Sequence, residues 1–349
     1  TTPLAAKPLD LILLTTVHAL SVLLATIWPP PSRRTRLTNI ISSSTLPLLF
    51  CFSSATIMHA CFYAPTRLPR SYVPWISRFA CLDTRLLRAL REARFGNWKY
   101  GQDNGSKDLL GDMAEDLGMP RVWGDPARTV PVPCRLVYQG VGGGCEWNAV
   151  VRFWRAWMDA AKMYAPLGMG VVLVRWVLRL RRQHQHQRGG VGGPGVRSAT
   201  AALPRLLATT LADAARSSAF LASFISLFYY GVCLARTRLG PRIFPSRTIS
   251  PQMWDSGLCI HAGCVLYALS FLVLPGHGSR RADIVFYVLP RALGVWFPRR
   301  YERRWLWREG AVFAVGAAVV VTAAMKRPER VGGVLGRVLR GVWRSRNGW

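Results

Sequence analysis

The chain has 349 residues, half of them hydrophobic, and a formal charge of +29 built from 46 lysines and arginines against 17 acidic residues. A nucleic-acid-binding protein gathers such an excess on a soluble module. Here the arginines instead fence apolar runs (Arg33, Arg34 and Arg36; Arg236 and Arg238; Arg299, Arg300, Arg303 and Arg304), which argues against nucleic acid and for membrane lipids with anionic headgroups as partners.

The first predicted span, Leu11 to Trp28, carries no formal charge. Pro29, Pro30 and Pro31 close it, because three prolines in a row cannot continue a helix. Thr38 to Tyr63 returns as the second span, and both are long enough for a hydrocarbon core that takes about 20 apolar residues to cross. Residues 1–63 therefore read as an N-terminal transmembrane hairpin.

Residues 64–149 form a soluble and amphipathic section. It is expected to open with one amphipathic helix, in which Trp75, Ile76, Phe79, Leu82, Leu86, Leu87 and Leu90 recur at helical spacing opposite Arg78, Arg85, Arg88 and Arg91. Such a helix lies on a bilayer surface or on a partner. The composition then turns acidic, with Asp103, Asp108, Asp112, Glu115, Asp116, Asp125 and Glu146 between Asn97 and Asn148. This stretch is expected to face water and to offer a surface to protein partners.

Residues 150–349 read as a transmembrane helical bundle. Ser217 to Leu234 and Ser256 to Leu274 are spans, and Ala311 to Met325 is a shorter one preceded by Trp305 and Trp307, residues suited to the interface. Two weaker candidates, Ala156 to Leu180 and Ile284 to Phe297, are interrupted by charge or by Pro290 and are expected to line the inside of the bundle. Arg181 to Ser198 has the Gln, His and Gly content of a flexible linker. The tail ends in a basic amphipathic helix, with Val331, Val334, Leu335, Val338, Leu339 and Val342 on one face and Arg330, Arg337, Arg340 and Arg344 mostly elsewhere. The fold class is thus all-α, a polytopic integral membrane helix bundle of five to seven spans with amphipathic surface helices and a small soluble section. Arginines occupy loops on both sides, so the positive-inside rule chooses no orientation. The chain opens on Thr1 rather than methionine, as a processed or trimmed polypeptide does.

No phosphate-cradling loop, nucleophile elbow or HExxH appears, so neither an enzyme nor a cofactor is expected. Cys134 and Cys145, separated by a Gly142–Gly143–Gly144 loop, are candidates for a disulfide or for two metal ligands, with two free thiols as the plain alternative. Cys259, His261 and Cys264 imitate a ligand run without a fourth member, and packing is the expectation there. Cys51, Cys61 and Cys233 also read as packing, and His184 and His186 as a solvated pair. Asp159 with Lys162, and Asp213 with Arg216, lie three apart on one helix face each, whereas Asp255 and Arg291 lack a local partner. Charge in lipid costs at least about 2.5–3.5 kcal/mol unless paired or wetted. Pairing or a water-filled cavity is therefore expected for the two i,i+3 pairs, while Asp255 and Arg291 are expected either to face the bundle interior, with each other as candidate partners, or to snorkel to the interface.

The run Cys134, Cys145, Phe153, Trp157, Lys162, Tyr164, Ala165, Pro166 and Leu167 resembles the entry segment of the transmembrane protein 135 family in its fungal form. The likeness continues through Leu203 and Pro204, Ser217 to Leu221, Phe224, Cys233, Leu234 and Arg236, and closes with Arg281, Asp283, Tyr287, Leu289, Pro290 and Arg291. That family is in turn similar to mitochondrial preprotein translocase channels and a small peroxisomal membrane protein. Of their shared signature this chain keeps Asp255, Ala262 and Gly263, small residues that let helices approach. It departs at Pro251 and Tyr267, and Tyr267 is expected to hold the helices apart. The resemblance implies a protein of the mitochondrial or peroxisomal membrane, linked with membrane dynamics and with lipid or sterol homeostasis. Two functions follow: a non-enzymatic structural or regulatory bundle that recruits partners through its soluble section, or a translocase-like conduit for polypeptide, lipid or solute lined by the intramembrane charges.

Overall fold

The computed structural model describes residues 8–28, 35–103, 105–188, 196–274, 280–298, 306–327, 330–333, 335–339 and 341. The proline turn at Pro29 to Pro31, the arginines at 33–34 and 299–304, Trp305, and Val334, Arg340, Val342 and Arg344 of the tail lie outside them. Among the described residues, 80% are helical, there is no strand, and six helices are long and apolar enough to cross a membrane.

The hairpin is α1 (Pro8–Ile27) and α2 (Arg36–Tyr63). The soluble section holds α3 (Tyr72–Ala80), α4 (Thr84–Phe95), α5 (Lys107–Asp116) and the single turn α6 (Cys134–Val137). The expected single amphipathic helix is therefore two. Cys81 takes a left-handed φ of 48°, and the Asp83 carboxylate accepts the Arg85 N–H at 2.8 Å to start α4 afresh. Trp98, Leu110, Met113 and Leu136 are fully buried in a small core that belongs to this section alone. Gly124 makes that core possible, since a Cβ there would stand 2.2 Å from the Gly111 nitrogen.

Next come two long antiparallel helices, α7 (Gly144–Arg188) and α8 (Val196–Cys233). The Ser226 hydroxyl donates to the Ala149 carbonyl at 2.7 Å, and the Trp157 indole N–H donates to the Ala215 carbonyl at 3.3 Å, which sets their register. The helical backbone reaches Arg188 and resumes at Val196, so residues 181–188 and 196–198 of the expected linker are helical, and the rest of it lies outside the described residues. The weak candidate Ala156 to Leu180 becomes a full span within Gly144–Leu178. It does not line the bundle as expected, because Leu167, Leu173 and Val174 are exposed, which is the profile of a lipid-facing helix.

After α8 the chain makes a wide π turn, Leu234–Arg238, then α9 (Gly240–Ile243), α10 (Pro251–Met253) and a second π turn, Trp254–Leu258, before α11 (Cys259–Tyr267). Gly231 and Gly263 mark the crossing of α8 and α11, where a Cβ on Gly231 would sit 2.9 Å from the Gly263 Cα. Ala262 contributes its carbonyl to the same contact at 3.1 Å. Tyr267 does not force the helices apart, as expected of it; it is fully buried beside Phe224, the rings tilted by 36° with centroids 4.1 Å apart. Phe50 of α2 stacks on Phe271 at 4.8 Å and completes the central core.

The remaining helices are α12 (Arg280–Leu293) and α13 (Leu306–Lys326). α12 corresponds to the weak candidate Ile284 to Phe297 and is not one of the six spans; its fourteen residues are too few to cross. It packs on α1, where Phe286 stacks on His18 at 4.6 Å, and on α2. The described part of the tail does not lie free on a surface. Val331, Leu335 and Leu339 pack against Ala19, Val22 and Val320 of α1 and α13.

Candidate functional site

The two π turns decide where the deepest charges of the molecule go. An extra residue in a helical turn rotates everything after it about the axis, and such turns recur at functional sites. Arg236, on the first, points inward instead of toward headgroups as its place in an arginine fence implies, and Asp255, on the second, meets it. Both side chains are 5% exposed, with Arg236 Nε 2.5 Å from Asp255 Oδ1 as an ion contact, and Arg236 Nη2 donates to Oδ2 at 2.8 Å. Asp255 thus pairs with Arg236 and not with Arg291.

A buried pair recovers its desolvation cost only when further hydrogen bonds satisfy both ions. The soluble section supplies them. Tyr100 donates its hydroxyl to Asp255 Oδ2 and accepts the Val132 N–H at 3.0 Å, while Arg236 also donates to the Val132 carbonyl at 3.1 Å. Burial first, and the Asp255 charge second, push the Tyr100 phenol well above its ordinary pKa, so it remains a donor. Three residues before Asp255, the Gln252 amide accepts the Tyr100 backbone N–H at 3.0 Å and donates to the Ala93 and Trp98 carbonyls. Arg94 donates to the Ser256 carbonyl at 3.2 Å, Arg91 to the Cys61 carbonyl at 3.0 Å, and Arg152 and Tyr229 both donate to the Ala80 carbonyl. Apart from the exposed Arg94, the contacts run through buried or half-buried groups, and together they join residues 64–143 to the ends of α2, α7, α8 and α11.

A covalent link closes the same region. Cys145 forms a disulfide with Cys233, across 88 residues, so Cys134 and Cys145 are neither a disulfide with each other nor two free thiols. Cys134 packs beside the pair as a free thiol, and Tyr138 donates its hydroxyl to the Cys145 sulfur at 3.1 Å. Cys233, read as packing from its apolar neighbours, is the true partner because α7 and α8 run antiparallel and bring residue 145 level with 233. Arg238 and Glu146 pair next to it. Among the described residues no group of three His, Cys, Asp or Glu is arranged to hold a metal.

The other expected charges do not converge. Asp159 and Lys162 pair at 2.9 Å on the outer face of α7, with side chains 55% and 72% exposed, so they do not face the bundle interior. Asp213 pairs with Arg280 of α12 at 2.5 Å, leaving Arg216 exposed and apart from it. Arg291 donates to the Tyr287 carbonyl at 2.5 Å and lies over the Tyr287 ring, 3.7 Å from its centroid. In the soluble section, Asp108 and Asp112 converge on Arg121 at 2.8 Å each, so the acidic face is partly neutralised from within.

A chamber of about 430 Å³ opens between α2, α3, α8 and α12. Phe50, Ile57, Phe220, Phe224 and Val288 line it, with Tyr72, Tyr164, Tyr287, Arg280 and Asp283 as its polar members. Burial beside Tyr287 pushes the Tyr72 phenol up to about 12. Neither Asp159, Lys162 nor Asp255 reaches this chamber.

Fold and site together define the class: a polytopic all-α integral membrane protein in which residues 64–143 are clamped to the apolar helices by a buried ion pair and a disulfide-linked helix hairpin. Comparison with protein-family models, curated proteins and solved structures gives no match.

Proposed function

We propose that this chain is a non-enzymatic structural or regulatory bundle of an organelle membrane. The observation that carries the reading is the Arg236–Asp255 pair, whose remaining hydrogen bonds come from Tyr100 and Val132. Buried charge placed at such a junction fixes one geometry between a water-facing unit and its membrane helices, which suits presentation of that unit to protein partners. A conduit needs charges along one wet groove, and the separate placements of Asp159–Lys162, Asp213–Arg280 and Asp255–Arg236 favour the scaffold over it.

The mitochondrial or peroxisomal membrane, with a role in membrane dynamics and lipid homeostasis, is the setting that the resemblance to the transmembrane protein 135 family supports, and anionic lipids are the partners that the arginine fences support. Two measurements test this. Fractionation of cells bearing the tagged chain should place it with mitochondrial or peroxisomal markers; recovery with neither contradicts the setting. In liposomes the wild-type protein should pass no ion, peptide or lipid in a manner altered by Asp159→Asn with Lys162→Gln. A flux lost on those substitutions would replace the scaffold with the conduit.

A further inference from the structure

The chamber between α2, α3, α8 and α12 is partly open to its surroundings and is lined by none of Arg236, Asp255, Tyr100 and Val132. Its volume of about 430 Å³ falls within the roughly 300–1,000 Å³ of small-molecule sites, which are mainly apolar with a few placed polar groups. The wall answers that description. Phe50, Phe220, Leu221, Phe224 and Ile284 supply aromatic and aliphatic surface, and the apolar face of α3 closes one side with Trp75 and Ile76.

The polar rim is asymmetric. Toward the start of α12 the charges are already matched, Arg280 by Asp213 at 2.5 Å and Asp283 by Arg337 at 2.7 Å. Two turns further along α12, Tyr287 and Tyr72 border the chamber, and Arg291 stands over both rings, 3.7 Å and 5.8 Å from their centroids. Arg291 meets no carboxylate among the described residues; its hydrogen bond goes to the Tyr287 carbonyl. A guanidinium has five donors; Arg291 does not line the chamber itself but lies against Tyr287 and Tyr72, which do, and these two phenols hydrogen-bond each other.

We propose that the chamber binds a single-chain amphiphile with an anionic head, the chain lying among Phe50, Phe220, Leu221 and Phe224 and the head held by Arg291 with the Tyr72 and Tyr287 hydroxyls. Charge complementarity selects the head: a neutral alcohol gains no ion contact from Arg291, while a carboxylate or phosphate does. Chamber size selects one chain over the two of a bilayer phospholipid. The proposal is independent of the scaffold reading, because none of its residues belongs to the Arg236–Asp255 clamp.

The test uses the full chain in nanodiscs of zwitterionic phospholipid, titrated with the fluorescent fatty acid cis-parinarate against empty nanodiscs. Saturable binding near one probe per chain is expected, displaced by oleate about tenfold more effectively than by oleyl alcohol, the margin typical of one charge-assisted hydrogen bond. Arg291→Gln should erase that preference and leave displacement by oleyl alcohol unchanged. Leu221→Trp should block the chamber and abolish saturable binding, and Ile284→Trp serves the same purpose from the opposite wall should the first variant fail to fold. Stronger displacement by oleoyl lysophosphatidate than by oleate assigns the head to a phosphate; the reverse order assigns it to a carboxylate. Non-saturable uptake equal to empty nanodiscs overturns the proposal. So does equal displacement by acid and alcohol, by cholesterol as well as by oleate, or wild-type binding in both tryptophan variants.

Discussion

Replacing Asp255 by leucine strands Arg236 in a site where its side chain is only 5% exposed. Breaking a buried pair from one side costs about 3–5 kcal/mol, because the remaining charge is left uncompensated, and a typical domain has about 5–15 kcal/mol in total. Tyr100 loses its acceptor at the same time, and that loss falls within the same figure because the groups form one network. Converting both residues, Arg236→Met with Asp255→Leu, removes the stranded charge. It leaves the Val132 carbonyl and Tyr100 hydroxyl each short of a partner, at about 1–3 kcal/mol apiece. The double variant should therefore cost about 2–6 kcal/mol, comparable to Asp255→Leu alone and short of the sum of the two single substitutions. The assay is denaturant unfolding in nanodiscs combined with amide hydrogen exchange. Exchange should rise in α4, around Trp98 and in α6, which rest on the clamp, and stay unchanged in α1 and α13, which pack on each other elsewhere. A loss below about 0.5 kcal/mol for Asp255→Leu, or faster exchange spread evenly over the chain, would refute the reasoning.

Gly231→Val should destabilise the bundle by about 1–3 kcal/mol through overpacking, since a Cβ there stands 2.9 Å from the Gly263 Cα; wild-type thermal stability in detergent would contradict the crossing. Alkylation of the denatured, unreduced protein should find six reactive thiols out of the eight cysteines, and all eight after reduction; eight from the outset would remove the Cys145–Cys233 bond. Cys145→Ser with Cys233→Ser should cost about 2–4 kcal/mol, the usual range for a bond that closes a long loop, and unchanged unfolding would argue that antiparallel packing of α7 and α8 alone sets their register. Tyr72, with its phenol raised to about 12 by burial, stabilises the fold fully below the ordinary tyrosine value near 10 and loses that contribution as pH climbs from about 10 to about 12. The stability of the wild type should therefore fall more steeply between about pH 10 and 12 than that of Tyr72→Phe, whatever their difference at pH 9, and parallel decline of the two would contradict the assignment.

Much of the architecture was legible in the chain because lipid imposes one rule, long runs without charge, and α1, α2, α8, α11 and α13 obey it. α7 was harder to read, since Asp159 and Lys162 interrupt its apolar run; the two satisfy each other on the outer face. The break between α3 and α4 was hidden by helical spacing that continues across it, although Asp83 before Thr84 is an ordinary helix-starting residue. The clamp was least legible. Asp255 stood out as a lone charge, but Arg236 passed as one more basic residue at the end of a span, because a π turn that redirects a side chain leaves no mark in residue spacing. Opposite charges at the facing ends of consecutive spans are the signal that would have joined them. Cys233 was missed for a related reason: pairing over 88 residues depends on the register of two helices, and nothing local to either cysteine encodes it. Neither does composition announce a chamber, since the phenylalanines that line it are the same residues that fill a core.

The central claim is that this chain resides in lipid through its six apolar helices, and alkaline carbonate extraction of membranes from cells expressing it measures that most directly. The protein should remain in the pellet after carbonate and enter the supernatant only with detergent. Release by carbonate alone, as a folded and monodisperse species in buffer, would contradict the account.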